Sequence, residues 1–190
     1  LRCIPNTVIA APKDETELKR LLNTGLGIKD GPLVIRYPRG IGEGTDWRNA
    51  ESTPLPIGKG ERLADGEDVA VLALGPVANR ALEAAERLRK ETGKSPAVFN
   101  VRFLKPFDQE ILKESAGYRC ILTLEDGAIK GGLFSEVSEY VASTGARIPV
   151  IGVGIPDRFI TQAPVGRQRE QCGLTTEIIY SKIVSLIKNN

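Results

Sequence analysis

Apolar residues along the chain fall into short dense blocks, separated by polar stretches that carry glycine and proline. Residues 7–11 (TVIAA) are apolar and β-branched and run into Pro12, which predicts a buried strand. A helix follows, in which Asp14 and Glu17 have the spacing of a capping box, Leu18, Leu21 and Leu22 form an apolar stripe, and Gly25 supplies a stop. Residues 33–37 (LVIRY) predict a second buried strand, ended by Pro38-Arg39-Gly40. Residues 1–40 thus read as a β-α-β tail without its earlier strands. Between residues 41 and 56 the composition turns to Gly, Glu, Asp, Asn, Ser, Thr and Pro with little periodicity, which marks a linker and a domain boundary. Trp47 is expected to pin that linker to a neighbouring domain.

From Ile57 onward strand-like and helical blocks alternate, the pattern of a mainly parallel sheet with helices on its faces. Strands are predicted at 69–74, 96–101, 118–125 and 149–153. The helices between and after them fall at 76–90, with Ala78, Leu82, Ala85 and Leu88 on one face, at 108–115, at 132–143 and at 176–187, with Ile179, Ile183 and Leu186 inward. The expected fold class is therefore α/β. No internal repeat or low-complexity tract interrupts it.

Composition narrows the function classes. Of 190 residues, 41% are hydrophobic, enough for one substantial core, and a net charge of +2 does not mark the chain for nucleic acid or a membrane surface. The longest apolar runs fall far short of the roughly 20 residues that span a bilayer. Cys3, Cys120 and Cys172 are widely spaced and match no zinc pattern, so they read as reduced thiols of a cytosolic protein. Histidine is absent, which removes the commonest general base and metal ligand. Met is absent too, and the opening LRCIPN stands in mid-pattern, so the chain reads as a piece of a longer protein.

Arg36-Tyr37-Pro38-Arg39-Gly40 closes a strand, and in open α/β sheets ligands lie beyond such ends. An arginine there presents a planar fork of donors to a phosphate or carboxylate; an arginine pair bracing the linker is the competing reading. The segment from Glu125 to Gly132 fits neither a dinucleotide fingerprint nor a P-loop and reads as a structural turn into a helix. In Arg102–Asp108 (RFLKPFD), Asp108 reads as a helix cap, with an interface role second. Residues 154–160 read as a structural strand exit, and Arg167-Gln168-Arg169 as a solvated face with too few cations for nucleic acid.

Together the blocks LRCIPN, AAPKDETEL, DGPLVIRYPRG, PIGKGE, VRFLKPFD, TLEDGAIKGG, GIPDRFITQ and CGLTTEII resemble, in order and spacing, the C-terminal region of the 1-deoxy-D-xylulose-5-phosphate synthase family, within the transketolases. The resemblance covers essentially the whole chain. The later blocks alone would also admit other transketolases and the β subunits of 2-oxoacid dehydrogenases, and a non-catalytic interaction domain of the same fold is a third reading.

The resemblance implies three parts. Residues 1–40 would be the end of a thiamine-diphosphate pyrimidine-binding domain, 41–56 a linker, and 57–190 a transketolase C-terminal domain with helices on both faces of its sheet. It also implies a cytoplasmic homodimer that condenses pyruvate, with loss of CO2, and D-glyceraldehyde 3-phosphate using thiamine diphosphate and Mg2+. The product, 1-deoxy-D-xylulose 5-phosphate, opens the mevalonate-independent isoprenoid route. Catalytic, cofactor-binding and metal-binding residues would all lie upstream of Leu1, and neither thiamine diphosphate nor Mg2+ is expected on this chain alone. Arg39, the second arginine of RYPRG, matches the position that binds the acceptor's phosphate, while Arg36 keeps the structural reading. The family usually has glycine after the glutamine of the block matching 159–162; here Ala163 follows, so no function is carried to that turn.

Overall fold

A computed structural model describes residues 1–188. The chain opens with β1 (Val8–Ala10), α1 (Glu15–Leu26) and β2 (Leu33–Ile35), with β1 and β2 parallel. After a stretch without helix or strand come β3 (Glu61–Ala64), β4 (Val69–Leu74), α2 (Val77–Thr92), β5 (Ala97–Asn100) and β6 (Phe103–Lys105). Then follow α3 (Gln109–Ser115), β7 (Cys120–Ala128), α4 (Leu133–Thr144), β8 (Val150–Ile155), α5 (Val165–Gln171) and α6 (Thr176–Lys188). The large sheet has the order β3-β5-β4-β7-β8, parallel except for β3 at its edge.

Burial on both faces explains why the central strands read as unbroken apolar runs. Ala70, Leu72 and Leu74 of β4 point to one side, into a core with Ile111 and Leu112 of α3 and Leu133, Val137 and Val141 of α4. Val69, Val71 and Ala73 point to the other, against Ala78, Ala81, Ala85 and Leu88 of α2 and Ile179 and Ile183 of α6. The fold is α/β, with helices on both faces.

The N-terminal segment does not pack as a separate layer. Ile9 of β1 and Ala11 just after it join the α3/α4 core, while Ala10 faces Leu21, Leu55 and Phe103. The free edge that a lone β-α-β tail would leave on β1 is taken by β6, which pairs with it antiparallel in a sheet ordered β2-β1-β6. The chain crosses from the large sheet to the small one at Arg102, whose φ of 59° turns the backbone out of β5 and into β6. Spacing alone predicts one strand over 96–101; the switch of sheets two residues later depends on a partner strand far away in sequence.

Several expectations are revised. On α1 the inward positions are Glu17, Leu21 and Thr24, not Leu22, which is 56% exposed. This helical stripe was hidden because two of its three members are polar. The helix runs past Gly25 to a cap at Gly27, and a Cβ at Gly25 would stand 2.9 Å from Leu33 Cδ2. Asp14 accepts from the Glu17 N–H at 2.7 Å as expected, but the Glu17 carboxylate turns to the Lys13 N–H at 2.7 Å and to Arg102 instead of closing the box. Trp47 stays partly exposed beneath the Arg48 guanidinium, and the linker is anchored by Leu55, buried against α1. β3, β6 and α5 are too short for a periodic pattern to mark them in the sequence.

Candidate functional site

The C-terminal ends of β1, β2, β4 and β7 open on a cleft of about 580 Å³. RYPRG forms one wall, the turn Leu74-Gly75-Pro76 into α2 the floor, and Asp126 with Gln162, Val165, Gln168 and Arg169 the other wall. Its charged lining is three guanidiniums, Arg36, Arg39 and Arg169, against one carboxylate, Asp126. Such a surplus of cations in a concave site concentrates field lines and favours an anion. The N-terminus of α2, which has no side-chain cap, adds its partial positive charge on the same side.

Sequence position places each arginine differently. Arg36 follows β2 directly; its backbone N–H donates to the Ala10 carbonyl at 2.8 Å and its Nη1 donates to Glu125 Oε2 at 3.2 Å. These contacts are structural, but they tie the strand end to β1 and β7 and not to the linker. Arg36 Nη2 is buried and has no partner among the described residues. Arg39, three residues on and past Pro38, is exposed and makes no hydrogen bond or ion pair with any described residue. An arginine with its whole donor fork unspent at the mouth of a cationic cleft is chemically ready for a phosphate or carboxylate. Arg169, which the sequence places on a solvated face, instead lines the cleft on α5, 3.8 Å from Asp126. No local signal could reveal it, because its partner lies 43 residues upstream on β7.

Glu125 is 2% exposed, where the pairing of β7 with β8 becomes irregular. Burial pushes its carboxyl pKa up, only partly opposed by Arg36 and by the α4 backbone. Its Oε1 accepts from the Leu133 N–H at 2.6 Å, at the start of α4. The Glu125–Gly132 turn is thus a socket: a Cβ on Gly127 would sit 2.2 Å from Arg36 Nη1, and one on Gly132 2.2 Å from Glu125 Oε1. The other blocks are structural. Asp108 caps α3, accepting from the Glu110 N–H at 3.0 Å, and exposed Asp157 pairs with Lys130 at 2.8 Å. Among the described residues no three Cys, Asp or Glu side chains gather to hold a metal, and no helix is long and apolar enough to cross a membrane.

A family model for the transketolase C-terminal domain matches residues 58–179. Among curated proteins, the chain is 45% identical over 184 residues to 1-deoxy-D-xylulose-5-phosphate synthase of Parabacteroides distasonis, covering 96% of this chain and 29% of that protein. The same enzyme of Bacteroides thetaiotaomicron is 41% identical over 97% of the chain and 28% of its own length, and that of Rippkaea orientalis 42% over 100% and 30%. The chain therefore spans under a third of these relatives. A solved structure described as a split gene transketolase, inactive beta4 tetramer, superposes with a TM-score of 0.83 at 29% identity, covering 98% of this chain and 59% of that one.

Proposed function

The chain belongs to the transketolase C-terminal domain family, and from that premise we propose that it is the C-terminal part of a 1-deoxy-D-xylulose-5-phosphate synthase. Its similarity to such enzymes along nearly its whole length supports this reading. The parent reaction joins the two-carbon unit of pyruvate, after loss of CO2, to D-glyceraldehyde 3-phosphate. Thiamine diphosphate, held with Mg2+, supplies the electron sink. On this reading the metal ligands and the ylid-forming groups belong to the rest of a homodimeric, cytoplasmic parent. Residues 1–40 are the end of its pyrimidine-binding domain, 41–56 the linker and 57–190 its third domain.

The role that falls to this chain is to hold the acceptor. The observation that carries the reading is Arg39, exposed and unpaired among the described residues at the mouth of a cleft whose charged lining is mostly arginine. In the full-length enzyme, Arg39→Ala should raise the KM for D-glyceraldehyde 3-phosphate by an amount equivalent to roughly 1–3 kcal/mol, as for a charge-assisted hydrogen bond. The pyruvate KM should stay in place. An unchanged acceptor KM would argue for a 2-oxoacid dehydrogenase β subunit, whose acceptor needs no phosphate. The structural likeness to a split gene transketolase keeps that enzyme as a second reading, and acceptor-dependent release of CO2 from pyruvate separates the two.

A further inference from the structure

Arg39 has no partner of its own among the described residues, so its direction is inherited from the residues before it. Pro38 has a restricted φ and transmits the position of the strand end with little slack. Beyond Arg39, Gly40 has φ 147° and nothing within 4 Å of where a Cβ would stand, and the next contacts come only at Glu43 with Arg80 and Gly44 with Glu15. The nearest ties are on the strand side, at Arg36. One is its backbone bond to Ala10; the other is the ion pair with Glu125, the one carboxylate that pairs with Arg36 among the described residues. Glu125 is itself immobilised by burial, by the Leu133 N–H and by two glycines whose lack of side chains makes the room.

We propose that Glu125 is a positioning residue for the acceptor phosphate: through Arg36 it holds the strand end that aims Arg39 into the cleft. This deepens, and rests on, the phosphate-binding role of Arg39. The energetics favour a geometric role over a stabilising one. Burial raises the Glu125 pKa, so the folded state binds that proton more tightly than the unfolded chain does. Stability from this group is then greatest below the usual carboxylate pKa and declines as pH rises through the raised value. At neutral pH the ionised Glu125 adds no net stability, in keeping with the general behaviour of buried ion pairs.

The test is a set of steady-state kinetics on the full-length enzyme for Glu125→Gln, Arg39→Ala and the double variant, with D-glyceraldehyde 3-phosphate and with unphosphorylated D-glyceraldehyde as acceptors. Glu125→Gln should raise the KM for the phosphorylated acceptor about tenfold, leave kcat and the pyruvate KM in place, and leave kinetics with D-glyceraldehyde unaltered. In the Arg39→Ala background it should add almost nothing. Gly127→Ala, which keeps both charges but pushes a Cβ against Arg36 Nη1, should shift the same KM in the same direction, and it carries the comparison if Glu125→Gln does not fold. An acceptor KM that moves in Arg39→Ala but in neither of the other variants overturns the proposal while sparing the phosphate role. So does a Glu125→Gln effect that adds in full to Arg39→Ala, or that extends to D-glyceraldehyde. If Arg39→Ala itself leaves the phosphorylated acceptor's KM unmoved, both ideas fall together.

Discussion

Glu17 and Arg102 are 85 residues apart in sequence and meet at 2.5 Å between Oε1 and Nε. The same carboxylate accepts from the Asn100 amide at 2.9 Å, and Arg102 Nη2 reaches Glu61 at 2.6 Å. This buried cluster holds Arg102 at a left-handed φ that costs a non-glycine residue on the order of 1–3 kcal/mol. Glu17→Ala would leave the guanidinium only Glu61 and the Gly60 carbonyl and take from the buried Asn100 amide its carboxylate partner. The expected loss is about 3–5 kcal/mol of unfolding free energy, the usual cost of removing one partner of a buried pair. Urea denaturation of this chain checks it, and Glu17→Gln, which keeps an acceptor in place, should lose clearly less.

Helix α1 shows how an element's polar face can be structural. Lys19 Nζ donates to the carbonyls of Trp47 at 3.1 Å and Ala50 at 2.9 Å, Arg20 Nε to Thr53 at 2.9 Å, and Asn23 Nδ2 to Ser52 at 2.6 Å. Thr24 Oγ1 both donates to the Leu55 carbonyl and accepts from the Leu55 N–H. The glycine- and proline-rich stretch that composition marks as a linker is therefore laid along the helix. Glu15 fastens its other end, with the Gly44 N–H donating to Oε1 at 2.9 Å and Thr45 Oγ1 to Oε2 at 3.0 Å. These bonds, the one from Gly44 first, hold the Glu15 carboxyl below its usual pKa of 4.5. A depressed folded-state pKa gives stability that is present above the usual value and is lost as pH falls below it. Glu15→Gln should thus lower the urea midpoint at pH 7, and the gap to the parent chain should close as pH drops below about 4.5.

At the scale of the whole molecule, one core crosses the linker. Ile9 and Ala11 sit in the same cluster as Leu72, Phe99 and Leu133, β6 completes the sheet of β1 and β2, and Lys105 Nζ donates to the carbonyls of Arg2 and Ile4 at 2.9 and 2.6 Å. A shared core with shared strands couples the stability of both parts. Trp47 fluorescence, which reports on the linker, and far-UV circular dichroism, which reports mainly on the larger sheet and its helices, should trace a single coincident urea transition. Two separated midpoints would mean that the N-terminal segment opens on its own.

The long central elements were legible in the sequence because a strand buried on both faces must be continuously apolar and a helix buried on one must repeat near 3.6 residues, as at 69–74 and 76–90. The RYPRG block was legible as an anion candidate because strand ends and arginine chemistry are local properties. Tertiary structure alone decided the rest. That Glu17 turns inward, that Arg102 switches sheets, that Arg169 faces the cleft and that Glu125 grips Arg36 all depend on partners tens of residues away. A polar residue is buried only where another part of the chain satisfies it, and no local pattern records where that partner stands.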